Sequence, residues 1–147
     1  MKKRLNLIAF ICYAVLLFAA LALTVALIAT YFQNKDGGDL GTGLTAAFAI
    51  VFAIISGIYA ITTAIPMIFK EFAIRSGRKI FTVLCIPFDV ILTVFNAILV
   101  INLLSEPEPI SFVLFGLILL VSLTALTLNI ITLINSKKSE DKSPSNI

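Results

Sequence analysis

The sequence predicts an all-helical integral membrane protein, a four-helix bundle with short loops and both termini on the same side. Three observations support this prediction: the composition, four long apolar runs, and the positions of the charges. Of the 147 residues, 60% are hydrophobic and only 13% are charged, and the mean hydropathy is +1.10. A soluble domain needs far more polar surface than this composition provides.

Four apolar segments reach the roughly 20 residues that a helix needs to cross a hydrocarbon core about 30 Å thick. The predicted spans are residues 5–32, 44–69, 80–104 and 110–134. They form a single transmembrane domain over residues 1–134, and the polar residues 135–147 are expected to form a disordered cytoplasmic tail. The first span is expected to be retained, because its apolar run exceeds the roughly 7–15 residues of a signal peptide.

The basic residues predict the orientation, because Lys and Arg concentrate on the cytoplasmic side of a membrane. All but Lys35 of the 11 basic residues lie before the first span, between the second and third spans, or in the tail. The other two loops carry acids instead, Asp36 and Asp39 in one and Glu106 and Glu108 in the other. We therefore expect a plasma or inner-membrane protein with both termini in the cytoplasm.

Small residues predict which helices pack most closely, because they let backbones approach one another in lipid. The second span has such residues at spacings of three and four: Ala46, Ala49, Ala53, Gly57, Ala60 and Ala64. The first span has a shorter stripe, so these two helices should form a close hairpin, while the bulkier third and fourth spans should pack less closely. Pro66 and Pro87 lie inside spans, and each predicts a kink.

Asp89 is predicted to be the only acid or base well inside a span, near the middle of the membrane. A polar stripe at spacings of three and four is expected on the same face of the third helix: Thr82, Cys85, Asp89, Thr93 and Asn96. Hydrogen-bond partners for this stripe are expected among six residues of the other spans: Tyr13, Tyr59, Thr62, Thr63, Ser122 and Asn129.

The composition argues against an enzyme. The chain has no histidine and only two cysteines, outside any C-x-x-C pair, which predicts neither a metal nor another cofactor. A single intramembrane acid does not suffice for aspartyl proteolysis, and no glycine-rich phosphate loop or nucleic-acid-binding signal is present.

Two functional hypotheses follow from the sequence. The first is a non-catalytic protein that works through helix–helix association, as an accessory, assembly or immunity-type subunit. Its partners would be the lipid bilayer and another membrane protein or a second copy of the chain. The second is a small oligomeric transporter or channel that uses Asp89 as a proton or cation site.

Overall fold

A computed structural model describes residues 2–103 and 109–140, which form four helices. They are α1 (Lys2–Asn34), α2 (Leu40–Ser76), α3 (Lys79–Leu103) and α4 (Pro109–Glu140). Each helix is long and apolar enough to cross a membrane, so the prediction of four apolar helices is confirmed. The acids Glu106 and Glu108 and tail residues 141–147 lie outside the described residues.

The helices extend beyond the predicted spans, because a helix can continue after its apolar segment has ended. α2 runs to Ser76 and ends at Gly77, whose φ of 67° is left-handed and whose N–H donates to the Ala73 carbonyl at 3.0 Å. α4 runs to Glu140, so residues 135–140, which were expected to be disordered, are helical.

The four helices pack in chain order around a closed ring. α1 contacts α2 and α4, and α3 contacts the same two helices, so α1 and α3 lie at diagonal corners of the bundle. Lys3 and Arg4 of α1, the turn between α2 and α3, and Lys137 of α4 lie together at what we call the basic end. The loop of residues 35–39 lies at the opposite end.

A seven-residue repeat governs the interior of the bundle. The buried residues of α1, α3 and α4 alternate at spacings of three and four: Asn6, Ala9, Tyr13, Leu16 and Ala20; Thr82, Cys85, Asp89, Leu92 and Asn96; Ser122, Ala125, Asn129, Thr132 and Ser136. The buried face of α2 follows nearly the same pattern: Ala46, Ala49, Ala53, Ser56, Ala60, Thr63, Pro66, Lys70 and Ala73. This repeat is typical of helices that pack side by side at small crossing angles.

Among the described residues, α1 and α2 form the most extensive helix pair. Ala49, Ala53 and Ala60 are buried. Gly57 is not part of the packed face, because a Cβ atom added there would meet nothing within 4 Å. Ser56 occupies the buried position instead. The predicted stripe takes two consecutive steps of four residues, from Ala49 to Ala53 and from Ala53 to Gly57. These steps cover eight residues instead of seven, so the stripe leaves the buried face at Gly57.

The two prolines lie inside continuous helices. Pro66 belongs to the buried face of α2, whereas Pro87 lies on the exposed face of α3. The kinks that they predict stay a prediction.

Enlarging a side chain on the packed face of α2 should destabilise the hairpin. We expect Ala53→Leu to cost about 1–3 kcal/mol of unfolding free energy, because Ala53 is buried and the added atoms would crowd the packed face. Ala47→Leu adds the same atoms on the exposed face of the same helix and should change the stability little. Chemical unfolding of the protein in detergent measures both, and equal losses would contradict this packing.

Candidate functional site

Three layers of buried, mostly polar side chains cross the bundle, and each layer takes one residue from every helix. The basal layer, nearest the basic end, consists of Asn6, Lys70, Thr82 and Ser136. The central layer consists of Tyr13, Thr63, Asp89 and Asn129, and the far layer of Ala20, Ser56, Asn96 and Ser122. On every helix, successive layers are seven residues apart, which corresponds to about 10 Å along the axis.

Asp89 is hydrogen-bonded to two other helices within the central layer. The Tyr13 hydroxyl donates to Asp89 Oδ1 at 2.5 Å, and Asn129 Nδ2 donates to Asp89 Oδ2 at 2.5 Å. Asn129 Nδ2 also donates to the Tyr13 hydroxyl, at 2.7 Å. Because α1 and α3 are diagonal, the Tyr13 ring reaches across the centre of the bundle. The network therefore joins three of the four helices.

Three of the other expected hydroxyl partners, on Thr62, Thr63 and Ser122, bond within their own helices. Thr62 Oγ1 donates to the Ile58 carbonyl and Thr63 Oγ1 to the Tyr59 carbonyl, each at 2.9 Å. Ser122 Oγ donates to the Leu119 carbonyl, also at 2.9 Å. These hydroxyls satisfy their own hydrogen-bonding needs without linking two helices.

Four of the five predicted stripe residues of α3 are buried in one line: Thr82, Cys85, Asp89 and Asn96. Asn96 Nδ2 donates to the Tyr59 hydroxyl of α2 at 2.9 Å, and Cys85 Sγ lies 3.5 Å from the Pro66 carbonyl. Leu92 takes the buried position that the pattern assigned to Thr93. Thr93 is only partly buried, although its hydroxyl oxygen is enclosed and has no partner among the described residues.

Lys70 is the residue that the sequence reasoning missed. Its charge and its position directly after the predicted second span indicate a loop residue, but α2 continues past it and its side chain is 0% exposed. Lys70 Nζ donates to Asn6 Oδ1 at 2.9 Å and to Thr82 Oγ1 at 3.4 Å. The bundle therefore buries a base, Lys70, in addition to the acid Asp89. The signal was present, since Lys70 lies seven residues after Thr63 on the buried face.

The buried acid Asp89 and the buried base Lys70 lie one layer apart, and they carry opposite charges when both are ionised. Over a separation of about 10 Å, in surroundings with an effective dielectric constant of about 20, their attraction is roughly 2 kcal/mol. Burying each ion costs several kcal/mol, so this attraction alone does not offset the cost of burying both. Hydrogen bonds from Tyr13 and Asn129 to Asp89, and from Lys70 to its two oxygen acceptors, supply further stabilisation.

Cavities lie on both sides of the central layer. One, of about 420 Å³, opens at the basic end and is lined by Asn6, Thr82 and Ser136 of the basal layer. The other, of about 320 Å³, is mainly apolar, is lined by all four helices, and reaches Ser56 and Asn96 of the far layer. Asp89 and its partners therefore occupy the polar layer between two cavities.

The described residues include no cluster of three or more potential metal ligands, and both cysteines are free thiols. No protein-family model, curated protein or solved structure matches this chain.

The Tyr13–Asp89 hydrogen bond should contribute measurably to stability. We expect Tyr13→Phe to cost about 1.5–3 kcal/mol of unfolding free energy, because a bond to a carboxylate is lost while the ring remains. Tyr31→Phe removes a hydroxyl that has no hydrogen-bond partner among the described residues and should be nearly neutral. Equal effects of the two substitutions on unfolding in detergent would refute a stabilising role for the central network.

Proposed function

We propose that this chain is a small multi-pass membrane protein that moves protons through its helix bundle by way of Asp89. Four helices of sufficient length and apolarity support membrane insertion. The basic end supports an orientation with both termini in the cytoplasm, in the plasma or inner membrane, even though Lys70 is buried and no longer counts as a loop residue.

The observation that carries the proposal is the position of the central layer between the two cavities. The cavity at the basic end reaches the basal layer, and the apolar cavity reaches the far layer. The basal and far layers are about 20 Å apart at 1.5 Å per residue, and Asp89 lies midway between them. An ionisable group buried at this depth in a membrane helix is costly, and such groups commonly mark proton or ion pathways.

A proton suits this site better than a metal cation. Both Asp89 oxygens already accept hydrogen bonds, and they lack the several additional oxygen ligands that a hard cation requires. Lys70 and the basic residues at the cavity mouth also repel cations. A proton needs only one acceptor. Asn129 Oδ1 is buried without a donor, so a protonated Asp89 has an acceptor if the Asn129 amide turns over.

A non-catalytic accessory, assembly or immunity-type subunit is the second candidate. Among the described residues, Thr93 Oγ1 and Asn129 Oδ1 are the only buried side-chain polar atoms without a partner. The network is thus nearly complete without a ligand, which favours a role in holding the helices together. In that case the lipid-facing surface would bind another membrane protein or a second copy.

The proposed orientation is tested by labelling of introduced cysteines in intact cells. In a background with Cys12→Ala and Cys85→Ala, a cysteine replacing Lys35 should react with a membrane-impermeant maleimide added outside. A cysteine replacing Arg75 should react only after the cells are opened, because positively charged loops remain in the cytoplasm. The reverse pattern would overturn the orientation.

Proton movement is tested with the purified protein in vesicles that contain a pH-sensitive dye. An imposed membrane potential should acidify or alkalinise the lumen with wild-type protein, and Asp89→Asn should abolish this flux because an amide does not exchange the proton. Asp36→Asn, which removes an exposed acid of a loop, should leave the flux unchanged.

Absence of flux in the wild-type protein would reject the proton hypothesis. If the wild-type protein gives no proton flux and a membrane protein is recovered with it in stoichiometric amount after gentle detergent extraction, the accessory role is supported.

A further inference from the structure

We propose that the cavity at the basic end binds a phosphate-bearing anion, and that Lys3 of α1 and Arg78 of the α2–α3 turn hold it. This proposal does not depend on proton movement through Asp89. It concerns the mouth of the cavity and uses residues that the central network does not contain.

The lining of the cavity is strongly cationic. Among the described side chains, four basic residues contribute to it: Lys3, Arg75, Arg78 and Lys79. No aspartate or glutamate among those same side chains lines it. Arg75 pairs with Glu71 on the outside of α2, at 2.5 Å, whereas Lys3 and Arg78 have no carboxylate partner in the part of the chain that the structure describes. A concave site of one charge concentrates ions of the opposite sign.

Lys70 places a further basic group behind the cavity wall. Its hydrogen-bond acceptors Asn6 and Thr82 both line the cavity, so its amino group lies directly behind them. Basic groups are therefore present behind the wall of the cavity as well as at its rim. The orientation of a membrane protein requires basic residues on one side of the membrane, but it does not require them to converge on one cavity.

The size and the donors of the cavity suit a phosphate group. A volume of about 420 Å³ accommodates more than a single small ion. The Arg78 guanidinium offers paired N–H donors that match phosphate oxygens, and lysine ammonium groups add point charges. Basic pockets between membrane helices on the cytoplasmic side bind lipid head groups of this kind. A free phosphate offers the same chemistry.

Binding is tested by the shift in Tm of the full chain in a non-ionic detergent. We expect short-chain phosphatidic acid to raise Tm in a concentration-dependent manner, and phosphatidylcholine with the same acyl chains to have no effect. Inorganic phosphate is titrated in parallel. A shift with phosphate as well as phosphatidic acid assigns the site to a free anion, and a shift with phosphatidic acid alone assigns it to a lipid head group.

Two matched double variants locate the site. Lys3→Gln with Arg78→Gln should require about tenfold more phosphatidic acid for the same shift, the effect of losing roughly one charge-assisted hydrogen bond. Arg4→Gln with Lys137→Gln removes the same charge from exposed residues at the same end that do not line the cavity, and should bind normally. All four side chains are exposed, so the unliganded Tm should be unchanged.

Equal weakening by both pairs would overturn the proposal, since general surface charge would then explain the binding. No shift with either phosphatidic acid or inorganic phosphate would overturn it too.

Discussion

The hydrogen bonds around Asp89 are the constraint around which the bundle is organised. A carboxylate inside an apolar bundle is stable only if donors reach it, and the two donors come from α1 and α4. Tyr13 is long enough to cross from one diagonal corner to the other. The network therefore fixes a distance that backbone packing alone does not set, because α1 and α3 have no direct backbone contact.

In the other two layers, buried polar groups also bond to groups on neighbouring helices, but the groups differ in type. In the basal layer the buried ionisable group is the base Lys70, and two neutral oxygens on α1 and α3 accept its hydrogen bonds. In the far layer, Ser56 Oγ donates to the Ala20 carbonyl at 3.0 Å and joins α2 to α1. Apolar side chains such as Leu16, Leu92 and Ala125 fill the space between the central and far layers. Polar layers select partners, and apolar layers supply close packing.

The sequence was sufficient to predict the four helices and the inward face of α3, because apolar run length and the spacing of Thr82, Cys85, Asp89 and Asn96 are local properties. It also named Tyr13 and Asn129 among several possible partners of Asp89. Choosing between them required the relative rotation of the helices, which depends on all four interfaces together. Lys70 was missed because its charge suggested a loop, although its position continued the buried face of α2. The charge of Lys70 indicated an exposed residue, whereas its position in the seven-residue repeat indicated a buried one. Lys70 is buried, as the repeat indicates.

The equal spacing of the layers restricts how the helices can move. If one helix slid along its axis by one residue or one turn, the donors and acceptors of every layer would lose their alignment simultaneously. A shift by a full repeat, about 10 Å, would align the residues of only two of the three layers with a new partner layer. Sliding in small steps is therefore opposed by several buried hydrogen bonds at once, whereas tilting a helix about the central layer displaces the donors and acceptors of that layer least. A tilt that keeps the hydrogen bonds of Asp89 has its pivot at the central layer.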